Sequence, residues 1–351
     1  MIASVFVLAL IQAAAALPAL DCPSKPTCQS THGNLTTHSP QLYPENADFD
    51  PKRCVTYISN LFNRTVSVYD AIQNRVTEVI AIDGITDNPR LHVSGVQVDT
   101  RHDKLSIMAN AGAAFDTSGA DISGDNFLVQ YDLRTKTIEW KINLTPTSGG
   151  LYGGFQDIEH DAAGNCYVIG TFPSSIIKVS ADGRTAVAWY VEGNTNQTVH
   201  GYSGVVSYNH GRNLLVNDNE GGQIFRFDAL ATSGQPIHVP LQAGAEPMGF
   251  NFDASYLPTL YQGTVYLISD NELGTIVLRS RDGKWKTAEK LGVVANAYAA
   301  QGGSATATVQ IASRIYVVTE FFVDQGPGHS INRTEFPLYD ITDDVNRLLQ
   351  Y

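Results

Sequence analysis

The sequence predicts an all-β chain, a six-bladed β-propeller of four-stranded antiparallel blades around a central channel. Three observations carry this reading. Short segments of period-2 alternation, bounded by Gly, Asn or Asp, follow one another through most of the chain, as strands and hairpins do. A motif recurs at blade-length spacing: ENADFD at 45–50, SGVQVD at 94–99, QDIEHD at 156–161, SGVVSY at 203–208, MGFNFD at 248–253 and SATATV at 304–309. No amphipathic helix alternates with the strands, which disfavours a parallel α/β fold.

Each recurrence opens a unit and supplies its innermost strand. After a turn comes an apolar second strand: CVTYISNL, KLSIMANAG, CYVIGTF, LLVNDNEG, VYLISDNELG and IYVVTEFF. Third strands follow as TVSVYD, FLVQYDL, SIIKVS, QIFRFD, TIVLRS and PLYDIT, several of them closing on Asp. Most units add an outer strand, such as VTEVIAI at 76–82, TIEWKINL at 137–144 and TAVAWYVE at 185–192. VNRLLQY at the C-terminus is the one helical expectation. The propeller is assigned residues 45–351, with residues 21–44 as an arm across it.

Residues 1–20, MIASVFVLALIQAAAALPAL, form a short apolar run ending in small residues, with Ala14 and Ala16 at A-x-A spacing. That is the pattern of a secretory signal peptide and is too short for a comfortable membrane span. The expected location is therefore the secretory pathway, either secreted or within vesicles. N-x-S/T sequons at Asn34, Asn63, Asn143, Asn196 and Asn332 agree with it as candidate N-glycan sites. Cys22, Cys28, Cys54 and Cys166 lack paired zinc spacing, so disulfides are expected, with the connectivity open.

Composition narrows the function. With 43% hydrophobic and 17% charged residues the chain can bury a large core. A net charge of -12 and the lack of a basic stretch argue against nucleic acid and against a membrane-surface helix. Oligomeric state is left open. NDNEGG at 217–222 lacks the spaced ligands of an EF-hand loop and reads as a hairpin turn. Trp140, Trp189 and Trp285 read as packing residues on outer strands or nearby turns.

A propeller places ligands at one mouth of its channel. The aligned opening residues are Glu45, Ser94, Gln156, Ser203, Met248 and Ser304. Loops leading inward add His92, Phe155, His200, Tyr202, Glu246 and Gln301. Loops leaving the second strands add Asn60, Asn110, Phe172, Asn219, Asn271 and Glu320. Hydroxyls, amides and aromatics with few charges suit a small organic molecule in a semi-apolar pocket. Asp157, Glu159 and His160 resemble a metal cluster, but their place on an innermost strand makes them a polar network between blades first.

Two resemblances add to this. The motif arrangement is similar to the gluconolactonase and senescence-marker propellers, which hold a divalent metal through a Glu opening the first blade and an Asn and an Asp opening later ones. Glu45 matches the Glu, whereas Ser203 and Met248 are poor ligands for a hard cation, so no metal is expected. The runs AGAAFDTSGADISGDNFLVQYDL at 111–133, YGGFQDIEHDAAGNCYVIGTFPSSIIKVSADG at 152–183 and YISNLFNRTVSVYD at 57–70 resemble a fungal secreted propeller family. That family includes the trichothecene-cluster protein and the hetero-Diels-Alderases of tropolone-sesquiterpenoid pathways.

The second resemblance implies a pericyclase without cofactor, acting on small-molecule substrates in fungal secondary metabolism. It would join an o-quinone methide to a humulene-type alkene. By pore position, His92, Gln156, Tyr202 and Ser203 are the expected hydrogen-bond donors, with His92 or Glu320 as acid/base if the substrate is first released from a hydroxyl precursor by dehydration. Phe172, Met248 and Phe321 are the expected apolar wall, and Ser94, Asn271 and Ser304 further substrate contacts. A non-catalytic metabolite-binding propeller and a metal-dependent lactonase-like hydrolase are the alternatives.

Overall fold

The computed structural model of the chain describes residues 28–193, 196–242, 247–325 and 331–350. Six four-stranded antiparallel sheets form the blades of a β-propeller. Blade 1 is built from Pro44–Asp50, Val55–Asn60, Thr65–Asp70 and Arg75–Ile80. Blade 2 comprises Leu91–Asp99, Lys104–Ala111, Phe127–Asp132 and Thr137–Asn143, and blade 3 comprises Gly153–His160, Cys166–Phe172, Ser175–Val179 and Ala186–Val191. In blade 4 the strands are Tyr202–Tyr208, Asn213–Asp218, Gln223–Asp228 and Ile237–His238. Blade 5 contains Phe252–Tyr256, Val265–Asp270, Gly274–Arg279 and Glu289–Ala295.

Blade 6 closes the ring. Its inner three strands are Ser304–Ile311, Arg314–Glu320 and Glu335–Asp340, and its outer strand is Leu35–His38. Leu35 lies opposite Leu338 and His38 opposite Glu335. Four residues of the expected arm thus form an integral strand, because the third strand of this blade would otherwise keep an unpaired edge. A disulfide between Cys28 and Cys54 ties the segment before it to blade 1. Cys166 departs from the expected pairing: it is a free thiol, fully buried on the second strand of blade 3. Cys22 and the expected signal peptide lie outside the described residues.

Apolar side chains from facing blades form the cores. One cluster joins Tyr57 and Val66 to Val93 and Ile107, and another joins Tyr167 and Trp189 to Tyr202 and Phe227. Trp189 and Trp285 are buried in such clusters, and Trp140 Nε1 donates to Ala181 O, so all three tryptophans pack between elements. The C-terminal helix, Thr342–Leu349, packs Val345 into the core beside blades 5 and 6.

Carboxylates on innermost strands bond the next blade. Asp48 Oδ2 accepts from Val98 N at 2.8 Å, Asp157 Oδ2 from Val205 N at 2.9 Å, and Glu159 Oε2 from Ser207 N at 2.9 Å. Asn46 Nδ2 also donates to Asp157 Oδ1 at 3.3 Å, from blade 1 to blade 3 across the channel. The polar residues of QDIEHD therefore link blades, with His160 Nε2 bonded to Ser106 Oγ at 2.8 Å. Gly95 is required by the close approach here: a Cβ there would lie 2.1 Å from Gln156 O.

A bulge recurs on every innermost strand, with register shifts between Pro44 and Ala47, Val93 and Val96, Phe155 and Ile158, Tyr202 and Val205, Phe252 and Ser255, and Ala305 and Ala307. Bulges re-aim side chains, and these bring Glu45, Ser94, Gln156, Ser203 and Asp253 into equivalent positions. Blade 5 differs from the sequence expectation. Its innermost strand starts at Phe252, so Asp253 replaces Met248 as the opening residue. MGFNFD aligns with SGVVSY on a glycine, but Gly249 precedes the strand and Ala254 occupies the place of Gly204.

Candidate functional site at the channel mouth

A cavity of about 480 Å³ opens where the innermost strands begin. Its floor combines the bulge residues Glu45, Ser94, Gln156 and Asp253 with Asn110 and Asn271, from the ends of two second strands. The wall is apolar: Leu61, Phe62, Phe115, Phe252 and Phe322. His92, Asp116, His200 and Gln325 complete the lining, and neither lysine nor arginine is found among these described residues.

Several parts of the site are rigidly held. Ser94 Oγ donates to Gln156 O at 3.4 Å, and Gln156 Nε2 donates to Ser203 O at 3.2 Å. Phe62 meets the His92 ring edge-on at 5.3 Å between centroids. Gly112 makes room for that imidazole, since a Cβ there would lie 2.7 Å from His92 Nε2. Phe172 stands behind the lining: it stacks on His200 at 5.6 Å and tilts against Phe115 at 5.6 Å.

Burial disfavours charge on the floor. Burial, followed by the charges of Asp253, Asp157 and Glu320, pushes the Glu45 carboxyl well above the usual carboxylate range. Burial raises Asp253 to about 7, against the lowering effect of the Asn271 amide. Burial also lowers His92 and His200, with Asp116 partly offsetting the shift at His92. Burial thus holds both imidazoles toward the neutral form and the Glu45 carboxyl toward the protonated form.

The expected site residues divide clearly. His92, Ser94, Gln156 and Asn271 meet in the cavity, as do Glu45, Asn110 and His200. Tyr202 does not: its ring stacks on Tyr190 at 5.6 Å in the core between blades 3 and 4. Ser203 Oγ is occupied by Asn217 Oδ1 at 3.0 Å. Met248 packs between blades 4 and 5 with Val206, Leu215 and Ile276. Phe321 lies under the Arg333 guanidinium at 3.6 Å and is packed with Phe336. Ser304 pairs with Glu320 in the sheet, and neither lines the cavity.

Glu320 is fully buried, and its carboxyl is pushed well up, first by burial. Glu246 lies outside the described residues. Sequence reasoning missed Leu61, Phe62, Phe115, Asp116, Phe252, Asp253, Phe322 and Gln325. Phe252 and Asp253 were hidden by the blade 5 misalignment, and the others sit on turns or short helical segments between strands that the repeat does not register. At the opposite mouth a cavity of about 660 Å³ is lined by Asp48 and Glu159, whose carboxylates already accept backbone N–H groups.

The chain matches the family model described as Mala s 1-like, Mal s 1 allergenic protein-like, over residues 31–254. It belongs to that family. Trichothecene biosynthesis protein 14 of Trichoderma arundinaceum is 34% identical over 93% of this chain and 92% of its own length. The core trichothecene cluster protein 14 of Fusarium sporotrichioides is 29% identical over 93% of this chain and 88% of its own. The crystal structure of the major Malassezia sympodialis allergen Mala s 1 superposes with a TM-score of 0.76 at 21% identity, covering 89% of this chain and 96% of that one. The last comparison supports the propeller fold alone.

A lactonase-type metal would draw its ligands from this floor. Glu45 and Asp253 supply two carboxyls, while the hydroxyl of Ser203, another opening residue, is committed to Asn217. Among the described residues no group of three or more His, Cys, Asp or Glu side chains is arranged to hold a metal ion. The oxygen donors that line the cavity include Glu45, Asp253 and the amides of Asn110, Gln156 and Asn271.

Proposed function

We propose that this chain is a pericyclase of fungal secondary metabolism that works without a cofactor. The reaction is an intermolecular hetero-Diels-Alder addition between a tropolone- or polyketide-derived o-quinone methide and a humulene-type alkene. The observation that carries this reading is the amphipathic cavity, with amides and buried carboxyls below a wall of phenylalanines. Relatives named for trichothecene biosynthesis support the setting in secondary metabolism. The expected route is the secretory pathway, with N-glycans on exposed sequons.

In this reaction the methide carbon bonds one alkene carbon and the quinone oxygen bonds the other. Three π bonds become two σ bonds and one π bond, and no proton enters or leaves. Chemistry of this kind needs register more than it needs a nucleophile. Holding two partners together contributes about 7–11 kcal/mol in favourable cases. Phe62, Phe115 and Phe322 would grip the hydrocarbon, while Gln156, Asn271 and the floor orient the oxygenated ring. Donors near that oxygen stabilise the negative charge that develops on it.

The test is turnover of a quinone-methide precursor with the alkene, with and without protein and with and without chelator. Faster formation of a single stereoisomer, unaffected by chelator, is the expected result. Equal rate and stereochemistry without protein would refute the proposal. Binding of either substrate unchanged would favour the metabolite-binding reading, and stoichiometric calcium or zinc the hydrolase reading.

A further inference from the structure

Asn110 is fully buried, and neither its Nδ2 nor its Oδ1 has a hydrogen-bond partner. Around the same cavity Glu45 Oε2 and Asn271 Oδ1 are also buried and unbonded. Folded proteins keep few such atoms, because each forfeits the solvation it had in water. Here they meet at one cavity floor, and the molecule that bonds them must enter through that cavity.

The identity of the unbonded atoms defines that molecule. Whichever way the Asn110 amide is turned, it offers one donor and one acceptor. A metal ion or an ammonium group would satisfy oxygens and leave the Asn110 N–H unbonded. An anion would meet Glu45, Asp116 and Asp253 with no lysine or arginine in the lining. A neutral molecule with a carbonyl beside a hydroxyl satisfies both kinds of atom.

We infer that the Glu45 carboxyl and the Asn110 amide form a donor pair for the carbonyl oxygen of a neutral hydroxy-ketone ring, whose adjacent hydroxyl is bonded by Asn110 Oδ1 or Asn271 Oδ1. The inference rests on the pericyclase reading and deepens it. There the bonded oxygen is the one that joins the alkene, so Glu45 and Asn110 are catalytic residues. Glu45 donates only while protonated. The groups facing it are all acidic: Asp157 from blade 3, Asp253 from blade 5 and Glu320 from blade 6. His92, Asp116 and His200 lie elsewhere in the lining.

Calorimetry with 2-hydroxyacetophenone tests the site, with 2-methoxyacetophenone, benzylammonium and calcium as comparison arms. The hydroxy-ketone is expected to bind at least 10-fold more tightly than each of the other three. Asn110→Leu is expected to weaken it at least 10-fold while leaving the melting temperature unchanged or raised, since a buried unbonded amide has been removed. Glu45→Leu should weaken it similarly, and Glu45→Gln, which keeps an N–H donor, should restore most of the binding. Wild-type affinity should fall as pH rises, and the Glu45→Gln variant should lose that dependence.

Stronger binding of calcium or benzylammonium would overturn the inference, as would equal ketone binding by wild type and both leucine variants. Cycloaddition that is accelerated equally by wild type and both leucine variants would overturn it while leaving the function standing. Ketone binding that depends on Glu45 and Asn110, without any acceleration, would uphold the site and refute the function.

Discussion

The Cys28–Cys54 disulfide offers a quantitative test of how the ring is held closed. Its two cysteines are separated by 26 residues, and the closing strand Leu35–His38 lies between them. Constraining a loop of that length in the unfolded chain contributes about 3.5 kcal/mol in the chain-entropy treatment. The native segment has other anchors: Thr31 Oγ1 meets Tyr316 Oη at 2.6 Å, and Asp340 N donates to Asn34 Oδ1 at 3.0 Å. Loss of the disulfide should therefore act mainly through the unfolded state and leave the folded ring intact.

The perturbation is Cys28→Ala with Cys54→Ala, compared with wild type by equilibrium urea unfolding under non-reducing conditions. The midpoint should fall by an amount equivalent to about 3 kcal/mol, and far-UV circular dichroism of the folded state should not change. Wild type in reductant should behave like the double variant. Hydrogen exchange should locate the earliest added opening in 35–38 and 335–340, which pair with each other. An unchanged midpoint, or a changed circular dichroism spectrum of the folded variant, would refute the reasoning.

Stability should fall from pH 6.5 to pH 8. Burial raises Asp48 to about 7, Asp157 to about 8 and Asp253 to about 7, so each binds protons more tightly folded than unfolded, and that stabilisation disappears as pH rises through the folded value. His160, lowered to about 4 by burial, acts in the opposite sense as its unfolded form titrates near 6.5, and so offsets part of the fall at the lower end of this window. Thermal melts across that range check this, and a rising or flat profile contradicts it. Met248→Leu should leave ligand affinity and turnover unchanged, whereas Asp253→Asn should alter both, because Asp253 lines the cavity and Met248 packs between blades. Kinetics on the two variants decide between them. Peptide mapping of secreted protein should find glycans at the exposed Asn34, Asn196 and Asn332 and low occupancy at Asn63, whose Nδ2 donates to Gln41 O at 3.0 Å.

Blade count and strand order were legible in the sequence because both follow from local patterns. Alternation is a property of each strand, and turn residues between strands mark the hairpins. The same logic assigned Asp157 and Glu159 to links between blades: a buried carboxylate on an innermost strand needs a donor, and the next blade's backbone provides one. Glu45, His92, Ser94, Gln156 and Asn271 could be placed near the mouth because they occupy repeat positions.

Tertiary structure decided what the repeat does not encode. Pairing of Leu35 with Leu338 spans nearly the whole chain, so neither segment alone announces that the arm is a strand. The blade 5 bulge chose Asp253 over Met248, because pairing with Asp270 sets the register and the glycine in the motif does not. Cys166 stayed a thiol because the core around blade 3 encloses it. Phe62, Phe115 and Phe322 come from three separate loops, and they converge only because closing the ring brings those loops to one mouth. Strand identity is written in nearest neighbours along the chain, whereas the cavity is a product of packing between residues far apart in it.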